Sequence, residues 1–320
     1  MRYLVTGGAG FIGSTLCDAL LRRGDSVVCV DNFNAYYAPE RKRRNTLAAA
    51  EHPAYTLVEV DLRDEAALAA IFAEHRPERV AHLAAMAGPR PSMEQPSIYA
   101  DVNIVATLNV LRLAGQTGVG GLFLASTSSV YGLSPTPWSE TSATDRPLSY
   151  YAATKKAAEV LAFTAHRQYG TPTQIGRFFT VYGPRGRPDM TPSLFVRPML
   201  EGRPITLFDG GVGVYRDWTY IDDIVAGVMA ALDSQLPYEI FNLGNSRPVQ
   251  LRDFVAALER VSGLTAQIDA QPLPPADPPV TFADTEKAGR LLHWEPHTSV
   301  EQGLEQFWRW YSREIIAKDA

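Results

Sequence analysis

Val5-Thr6-Gly7-Gly8-Ala9-Gly10-Phe11-Ile12-Gly13 is the stretch that most restricts how this chain folds. Before it, Tyr3-Leu4-Val5 reads as a short buried strand. After it, Phe11, Ile12, Leu16, Ala19 and Leu20 recur at helical spacing up to about Arg23, and Gly24 is placed to end the helix. The glycines at 7, 10 and 13 therefore lie at a strand-to-helix junction, where they permit a tight turn and close approach of a ligand to the backbone. The helix start adds unpaired N–H groups and a partial positive charge, a combination suited to a pyrophosphate. Glycine spacing alone is weak evidence. The strand-turn-helix context, with Asp31 ending the next strand 24 residues after Gly7, turns it into a dinucleotide-binding pattern. A carboxylate at Asp31 accepts hydrogen bonds from a ribose and repels a 2′-phosphate, which favours NAD over NADP.

The first half of the chain repeats this alternation. Strands are expected at Ser26–Val30, Tyr55–Val60, Val80–Leu83 and Leu122–Ala125, and helices at about Arg41–Glu51, Glu65–His75, Ile98–Gln116 and Tyr150–Tyr169. Crossovers of that length join parallel strands, so the expected fold class is α/β, a doubly wound parallel sheet with helices on both faces. Beyond about Gly183 the texture changes: Pro184, Pro188, Pro192, Pro198 and Pro204 crowd in and elements shorten. A smaller α/β domain is expected there, interleaved with the first. Residues 1–182 form the dinucleotide domain, which also takes in about 216–245, because Tyr238-Glu239-Ile240-Phe241 reads as a strand able to rejoin the main sheet; residues 183–320 form the second domain. Pro272, Pro274, Pro275, Pro278 and Pro279 read as an ordered surface loop, and Arg41-Lys42-Arg43-Arg44 as a solvated helix face.

Composition bounds the function. With 46% apolar residues in 320, a sizeable core is available. The net charge of −5 argues against a dedicated nucleic-acid binder, whose footprint is basic. Cys17 and Cys29 make neither a disulfide framework nor a metal-ligand pattern. No apolar run reaches the roughly 18 residues of a membrane span, and none at the N-terminus suits a signal peptide. A soluble cytoplasmic protein is expected. No metal site is expected either: of six histidines, His293 and His297 are four apart, but Pro296 disfavours a helix there.

The chemistry gathers at the carboxyl edge of the expected sheet, where Asp61-Leu62 and His82-Leu83-Ala84-Ala85 follow the third and fourth strands. His82 by itself reads first as a satisfied core histidine. The fifth strand runs into Ser126-Thr127-Ser128-Ser129-Val130-Tyr131-Gly132, a hydroxyl cluster at that edge. Tyr151-Ala152-Ala153-Thr154-Lys155 follows in a helical pattern, which puts the phenol and the ammonium on one face. Tyrosine ionises near pH 10 and is a poor base at neutral pH. A neighbouring Lys cation, with a positive nicotinamide ring, is expected to stabilise the phenolate and lower that value. Thr127 is placed to hydrogen-bond the same substrate oxygen.

With these motifs the chain resembles the extended short-chain dehydrogenase/reductase family over nearly its whole length. It is most similar to the nucleotide-sugar epimerases, in particular the UDP-glucuronate 4-epimerases. Besides the glycine turn and Tyr151 to Lys156, the matching stretches are Asp31-Asn32-Phe33-Asn34-Ala35-Tyr36-Tyr37, Ser129 to Leu133, Arg177 to Pro184, Gly186-Arg187-Pro188-Asp189-Met190 and Arg216 to Asp223. The resemblance implies a Rossmann domain with a smaller substrate domain, tightly bound NAD regenerated at each turnover, and a UDP-sugar substrate. It implies Thr127, Tyr151 and Lys155 as the catalytic trio, Arg216 on the nucleotide diphosphate and Asp277 beside the nucleotide ribose. The cofactor set comprises Gly7, Gly10, Phe11, Ile12, Gly13, Asp31, Asn32, Asn34, Asp61, Leu62, Leu83, Ala84, Ala85, Asn103, Tyr151 and Lys155. For Asp222 and Asp223, helix capping is a sufficient reading.

Two absences narrow the class. Related dehydratases place an Asp-Glu pair after the catalytic hydroxyl and related decarboxylases a Glu, where this chain has Ser128 and Ser129. Thr180 stands where glucose/galactose epimerases carry Asn. Together with Arg187 and Arg185 it suits a sugar carboxylate. Around Arg90, placed near the sugar, Met86, Pro89 and Pro91 replace the usual Gln, Val and Tyr. The leading expectation is inversion at the fourth carbon of a UDP-hexuronate, UDP-glucuronate to UDP-galacturonate, through a transient 4-keto sugar. The alternatives are a UDP-glucose 4-epimerase, a UDP-glucuronate decarboxylase, a net oxidoreductase of the same fold, and an inactive NAD sensor or scaffold. A homodimer is expected, because Ile104, Leu108, Leu111, Val160, Leu161 and Phe163 extend beyond one narrow apolar stripe and suit a four-helix bundle.

Overall fold

A computed structural model describes residues 1–274 and 277–316. The first half comprises β1 (Arg2–Thr6), α1 (Phe11–Arg22), β2 (Ser26–Asp31), α2 (Pro39–Ala50), β3 (Tyr55–Glu59), α3 (Glu65–His75) and β4 (Arg79–His82). Two short helices, α4 (Pro89–Glu94) and α5 (Pro96–Ala100), lead to α6 (Thr107–Thr117), β5 (Leu122–Thr127), α7 (Tyr150–Tyr169) and β6 (Thr173–Phe178). Then come β7 (Thr180–Tyr182), α8 (Ser193–Leu200), β8 (Ile205–Phe208), β9 (Tyr215–Arg216), β10 (Trp218–Tyr220) and α9 (Ile221–Asp233). The remainder is β11 (Tyr238–Leu243), β12 (Val249–Gln250), α10 (Leu251–Ser262), β13 (Ile268–Gln271), β14 (Val280–Thr281), α11 (Glu286–Leu292) and α12 (Val300–Tyr311).

Seven parallel strands form the central sheet in the order β11-β6-β5-β4-β1-β2-β3. Alternate side chains point to opposite faces, and both faces are buried. Tyr3, Val5, Val27 and Cys29 pack with Leu16 and Leu20 of α1 and Ile224 and Val228 of α9. Leu4, Val28 and Val30 pack on the other face with Phe72 of α3, Val110 of α6 and Ala158 and Ala162 of α7. The strand order reverses between β1 and β4, which opens a crevice at their carboxyl ends, where doubly wound sheets bind ligands.

Most expected boundaries agree to within two residues. Gly24 has φ of 90°, directly after the α1 cap at Arg23. The strand expected at Tyr238 pairs in parallel with β6. The helix expected over Ile98–Gln116 is instead three segments, α5, a π-helical turn over Asp101–Ala106, and α6. The wide turn brings Asn103 inward, fully buried, where its amide grips the Met86 backbone. Asp222 and Asp223 are not caps, since the α9 N-cap is Tyr220 and both lie in the first turn. Asp223 accepts from the N–H groups of His297 and Thr298 and so ties the C-terminal segment to α9. In the second half, β8 pairs with β13, and β9 lies between β12 and β14. α10 and α12 bury their apolar faces there, Trp218 stacking on Phe254 at 4.0 Å. Of the Pro272–Pro279 loop, Pro275 falls outside the described residues. No described helix is long and apolar enough to cross a membrane.

Candidate active site

A cavity of about 430 Å³ occupies the crevice. Its floor is the glycine turn. Gly7 has φ of 68°, and a Cβ there would lie 2.7 Å from the Ala84 backbone nitrogen; a Cβ on Gly13 would overlap the Gly7 carbonyl. The turn can therefore sit tightly against the β4 loop only as glycine. Asp31 is buried at the end of β2, its Oδ1 accepting from the Phe33 N–H at 2.8 Å and its Oδ2 from the Ala9 N–H at 3.2 Å. The carboxylate is thereby locked beside the turn. Gly10, Phe11, Ile12, Asn32, Asn34, Asp61, Leu62, Leu83, Ala84 and Ala85 complete this end of the wall. Asn32 donates to Asp61 at 3.2 Å.

The other end carries the hydroxyl cluster and α7. Thr127, Ser128 and Ser129 line the cavity beside Tyr151 and Lys155. Ser149 caps α7 by accepting from the Ala152 N–H at 3.1 Å, which sets where the helix begins and so where the phenol points. Tyr99 packs edge-on against Tyr151 with ring centroids 6.3 Å apart. The expectation of a phenol made acidic by Lys155 is not met in the protein alone. Burial pushes the Tyr151 phenol above its ordinary value, opposed by the Thr127 hydroxyl and the Arg187 guanidinium. Burial also pulls the Lys155 ammonium down to about 8, with Glu159 opposing. Desolvation is the largest influence on both groups.

Behind α7 lies a buried ionic network. Arg177 of β6 meets Glu159 through Nε to Oε1 at 2.9 Å and Nη2 to Oε2 at 2.8 Å. Ser126 donates to Glu159 at 2.7 Å, and Arg177 Nη1 reaches the Tyr131 hydroxyl, which donates to Asn242. The network ties α7 to β5, β6 and β11, directly under Lys155. His82, one wall back, sets Nδ1 2.6 Å from the Thr6 hydroxyl and Nε2 2.9 Å from the Thr107 hydroxyl. It is a satisfied core histidine, held neutral by burial down to about 3.

The sugar-facing expectations divide. Thr180 and Arg187 line the cavity. Arg185 does not: its backbone is left-handed, φ 65°, and its guanidinium turns to Asp18 of α1 at 2.7 Å. It faces a separate cavity with Arg41 and Arg44. Asn103 is also absent from the wall. Both ends of its amide are spent on Met86, and Nδ2 also reaches Thr154 at 3.0 Å, so it braces the β4 loop against α7. Arg90, Asp277 and Arg216 form a separate cluster beside Pro89. Arg90 meets Asp277 at 3.4 Å, and Arg216 Nη1 donates to the carbonyls of Tyr215 and Pro279.

Some wall residues escaped the sequence reading. Lys42, expected on a solvated face, is buried, its Nζ 3.7 Å from Asp31. A pairing partner for Asp31 inside a basic run on the next helix has no local sequence signal. Tyr36, Tyr37, Met86 and Met190 also line the cavity. Among the described residues no three His, Cys, Asp or Glu side chains could hold a metal ion.

The profile of the NAD dependent epimerase/dehydratase family matches residues 3–244. The chain belongs to that family. It is 44% identical over 316 residues to a UDP-glucuronate 4-epimerase of Thermodesulfobacterium geofontis, covering 98% of this chain and 97% of that one. It is 43% identical to UDP-glucuronate 4-epimerase 3 of Arabidopsis thaliana, over 96% of this chain and 76% of that one. Among solved structures, the UDP-glucuronic acid 4-epimerase of Bacillus cereus, in complex with UDP-glucuronic acid and NAD, superposes with a TM-score of 0.92 at 35% identity, covering 98% and 99% of the two chains. The cavity fits NAD: the glycine turn leaves its backbone free of side chains, and the Asp31 carboxylate lines the wall beside it.

Proposed function

We propose that the chain inverts the fourth ring carbon of a UDP-hexuronate, converting UDP-glucuronate to UDP-galacturonate, with NAD retained between turnovers. The observation that carries this is the meeting in one cavity wall of Thr127, Tyr151 and Lys155 with Thr180 and Arg187, opposite the glycine turn. NAD, when bound, supplies a hydride acceptor that later returns the hydride. Gly7, Gly10 and Gly13 would hold its pyrophosphate and Asp31 its adenosine ribose. Tyr151 takes the proton of the 4-hydroxyl, Thr127 holds that oxygen, and Lys155 supplies the cation that favours the phenolate. Thr180 and Arg187 receive the sugar carboxylate, and Arg216, with Asp277, holds the nucleotide. Ser128 and Ser129, in place of carboxylic acids, leave no acid beside a 4-keto acid that readily loses carbon dioxide.

The same reading divides the chain into a NAD-binding part, 1–182 with about 216–245, and a UDP-sugar part in the rest of 183–320. A cytoplasmic location accords with the two free, buried cysteines. A homodimer is supported by apolar side chains left in solvent on α6, α7 and the π-helical turn before α6: Val105, Leu108, Val160 and Phe163 are 44–55% exposed. Leu111, by contrast, is in the core. Light scattering should give twice the chain mass, and a monomer at micromolar concentration removes the dimer. The activity is tested by incubating the purified protein separately with UDP-glucuronate, UDP-glucose and UDP-xylose without added NAD, with NMR readout at the fourth carbon. Inversion of UDP-glucuronate is expected. A preference for UDP-glucose overturns the substrate assignment, and UDP-pentose formation makes the enzyme a decarboxylase.

A further inference from the structure

Arg187 is, among the described residues, the only arginine in the wall of the catalytic cavity, and the Nε–Nη2 side of its fork is already taken. Nε donates to Asp189 Oδ1 at 2.9 Å and Nη2 to Oδ2 at 2.8 Å. The Tyr36 hydroxyl also donates to Oδ2, at 3.0 Å, and the Tyr36 ring lies 5.7 Å from the guanidinium carbon. Asp189 itself is not part of the wall. It stands behind Arg187, two residues along the chain, with the rigid Pro188 between them.

A two-pronged carboxylate is the strongest partner a guanidinium has. A sugar carboxylate entering the cavity therefore meets Arg187 with its charge balanced and its Nε–Nη2 side occupied, leaving the two N–H groups of Nη1 and the second one of Nη2. That is a weak clamp. Inversion at one carbon needs the oxidised sugar to present both faces to the same hydride donor, so a grip that is strong on the bound sugar slows the step that follows. We propose that Asp189 is a positioning and specificity residue that loosens the hold of Arg187 on the substrate carboxylate and so lets the ring turn over. This rests on the UDP-hexuronate reading above. Tyr36 assists by fixing Asp189 in place, and Tyr36, Arg187 and Asp189 act as one unit.

The test uses the NAD-containing Tyr151→Phe protein, in which binding is read without turnover. Calorimetric titrations with UDP-glucuronate and with UDP-glucose are compared for that parent, for added Asp189→Asn and for added Asp189→Glu. Asp189→Asn should tighten UDP-glucuronate about tenfold while leaving UDP-glucose within about twofold, the scale of one freed charge-assisted pair. Asp189→Glu keeps the balancing charge and should stay near the parent. With Tyr151 restored, Asp189→Asn should lower KM and kcat together for UDP-glucuronate, as when ground-state binding is strengthened. Unchanged or weaker UDP-glucuronate binding in Asp189→Asn, or an equal change for both sugars, overturns the proposal. If the Tyr151-containing protein inverts another sugar instead, the substrate assignment fails, while the affinity comparison still decides the role of Asp189.

Discussion

Glu159 and Arg90 each pair with an opposite charge from another segment of the chain, under opposite conditions. Glu159 and Arg177 are 1% and 2% exposed, doubly bonded to each other and surrounded by Ser126, Tyr131 and Lys156. Arg90 and Asp277 meet at 3.4 Å with 72% of the arginine side chain in solvent. The first pair carries a large desolvation cost, offset only by complete hydrogen bonding, and in return its members have one geometry. The second is worth about 0–1 kcal/mol and can open at little expense. The molecule is thus rigid under α7, where the proposed proton acceptor sits, and yielding at the cluster proposed to hold the nucleotide. An epimerase that turns its substrate over needs both.

The most direct way to break this contrast is at the rigid end. Tyr151→Phe deletes the proton acceptor but keeps the ring packed against Tyr99, so turnover should fall by at least the ~10²–10⁴-fold typical of general-base catalysis. NAD and UDP-sugar binding should be nearly unchanged in calorimetric titration. More than about a tenth of the activity remaining would move the base elsewhere.

Glu159→Gln tests whether the buried network is what stiffens the catalytic helix. Leaving Arg177 charged and half-paired should cost about 3–5 kcal/mol, seen as a large drop in Tm. Asp277→Asn at the exposed pair should shift stability by less than about 1 kcal/mol and act instead on KM. Similar losses of Tm from both would abolish the distinction.

A third check uses pH. Burial holds the His82 ring down at about 3, against an ordinary value of 6.5. Below 6.5 the unfolded chain takes up the proton and the folded one does not, so stability falls as the pH drops from about 6.5 towards 3, by up to about 1.4 kcal/mol per pH unit. His82→Asn should flatten the Tm-against-pH curve in that window. An unchanged slope would mean the ring is not held neutral.

The smallest effect is expected at Thr180, in the cavity wall between the two regions' roles. Thr180→Asn should shift the ratio of kcat/KM for UDP-glucuronate over UDP-glucose a few-fold, up to about tenfold, towards the neutral sugar, the scale of one lost polar contact. No change in that ratio would take Thr180 out of carboxylate recognition.

What the sequence made legible was local. The glycine turn, Asp31 and Tyr151 with Lys155 are each set by a few neighbouring residues within one strand-turn-helix or one helix face. What it hid was long-range. Glu159 and Arg177 lie on different elements, and Tyr36 meets Asp189 across 153 residues of sequence. Arg185 and Arg187 are two residues apart and equal in type, yet a left-handed backbone at Arg185 sends it to α1 while Arg187 reaches the cavity. The π-helical turn at Asp101–Ala106 escaped because apolar spacing over a single turn does not separate it from an α-helix. Asn103 depends on that turn, so its bracing role was equally hidden.

The pairing of β11 with β6 has a consequence for how the protein is made. Residues 1–178 contain six of the seven strands and the whole proposed catalytic trio, but when they leave the ribosome β6 is still an open edge. Residues 238–243 must follow before that edge is covered, and Asn242 on the same strand completes the hydrogen bonds of Tyr131 under the catalytic helix. For the time it takes to synthesise some sixty residues, at about 5–20 residues per second, the nascent chain exposes a strand edge able to pair with another copy of itself. A chain stopped before residue 238 would keep that edge permanently, and should aggregate rather than fold into a working half.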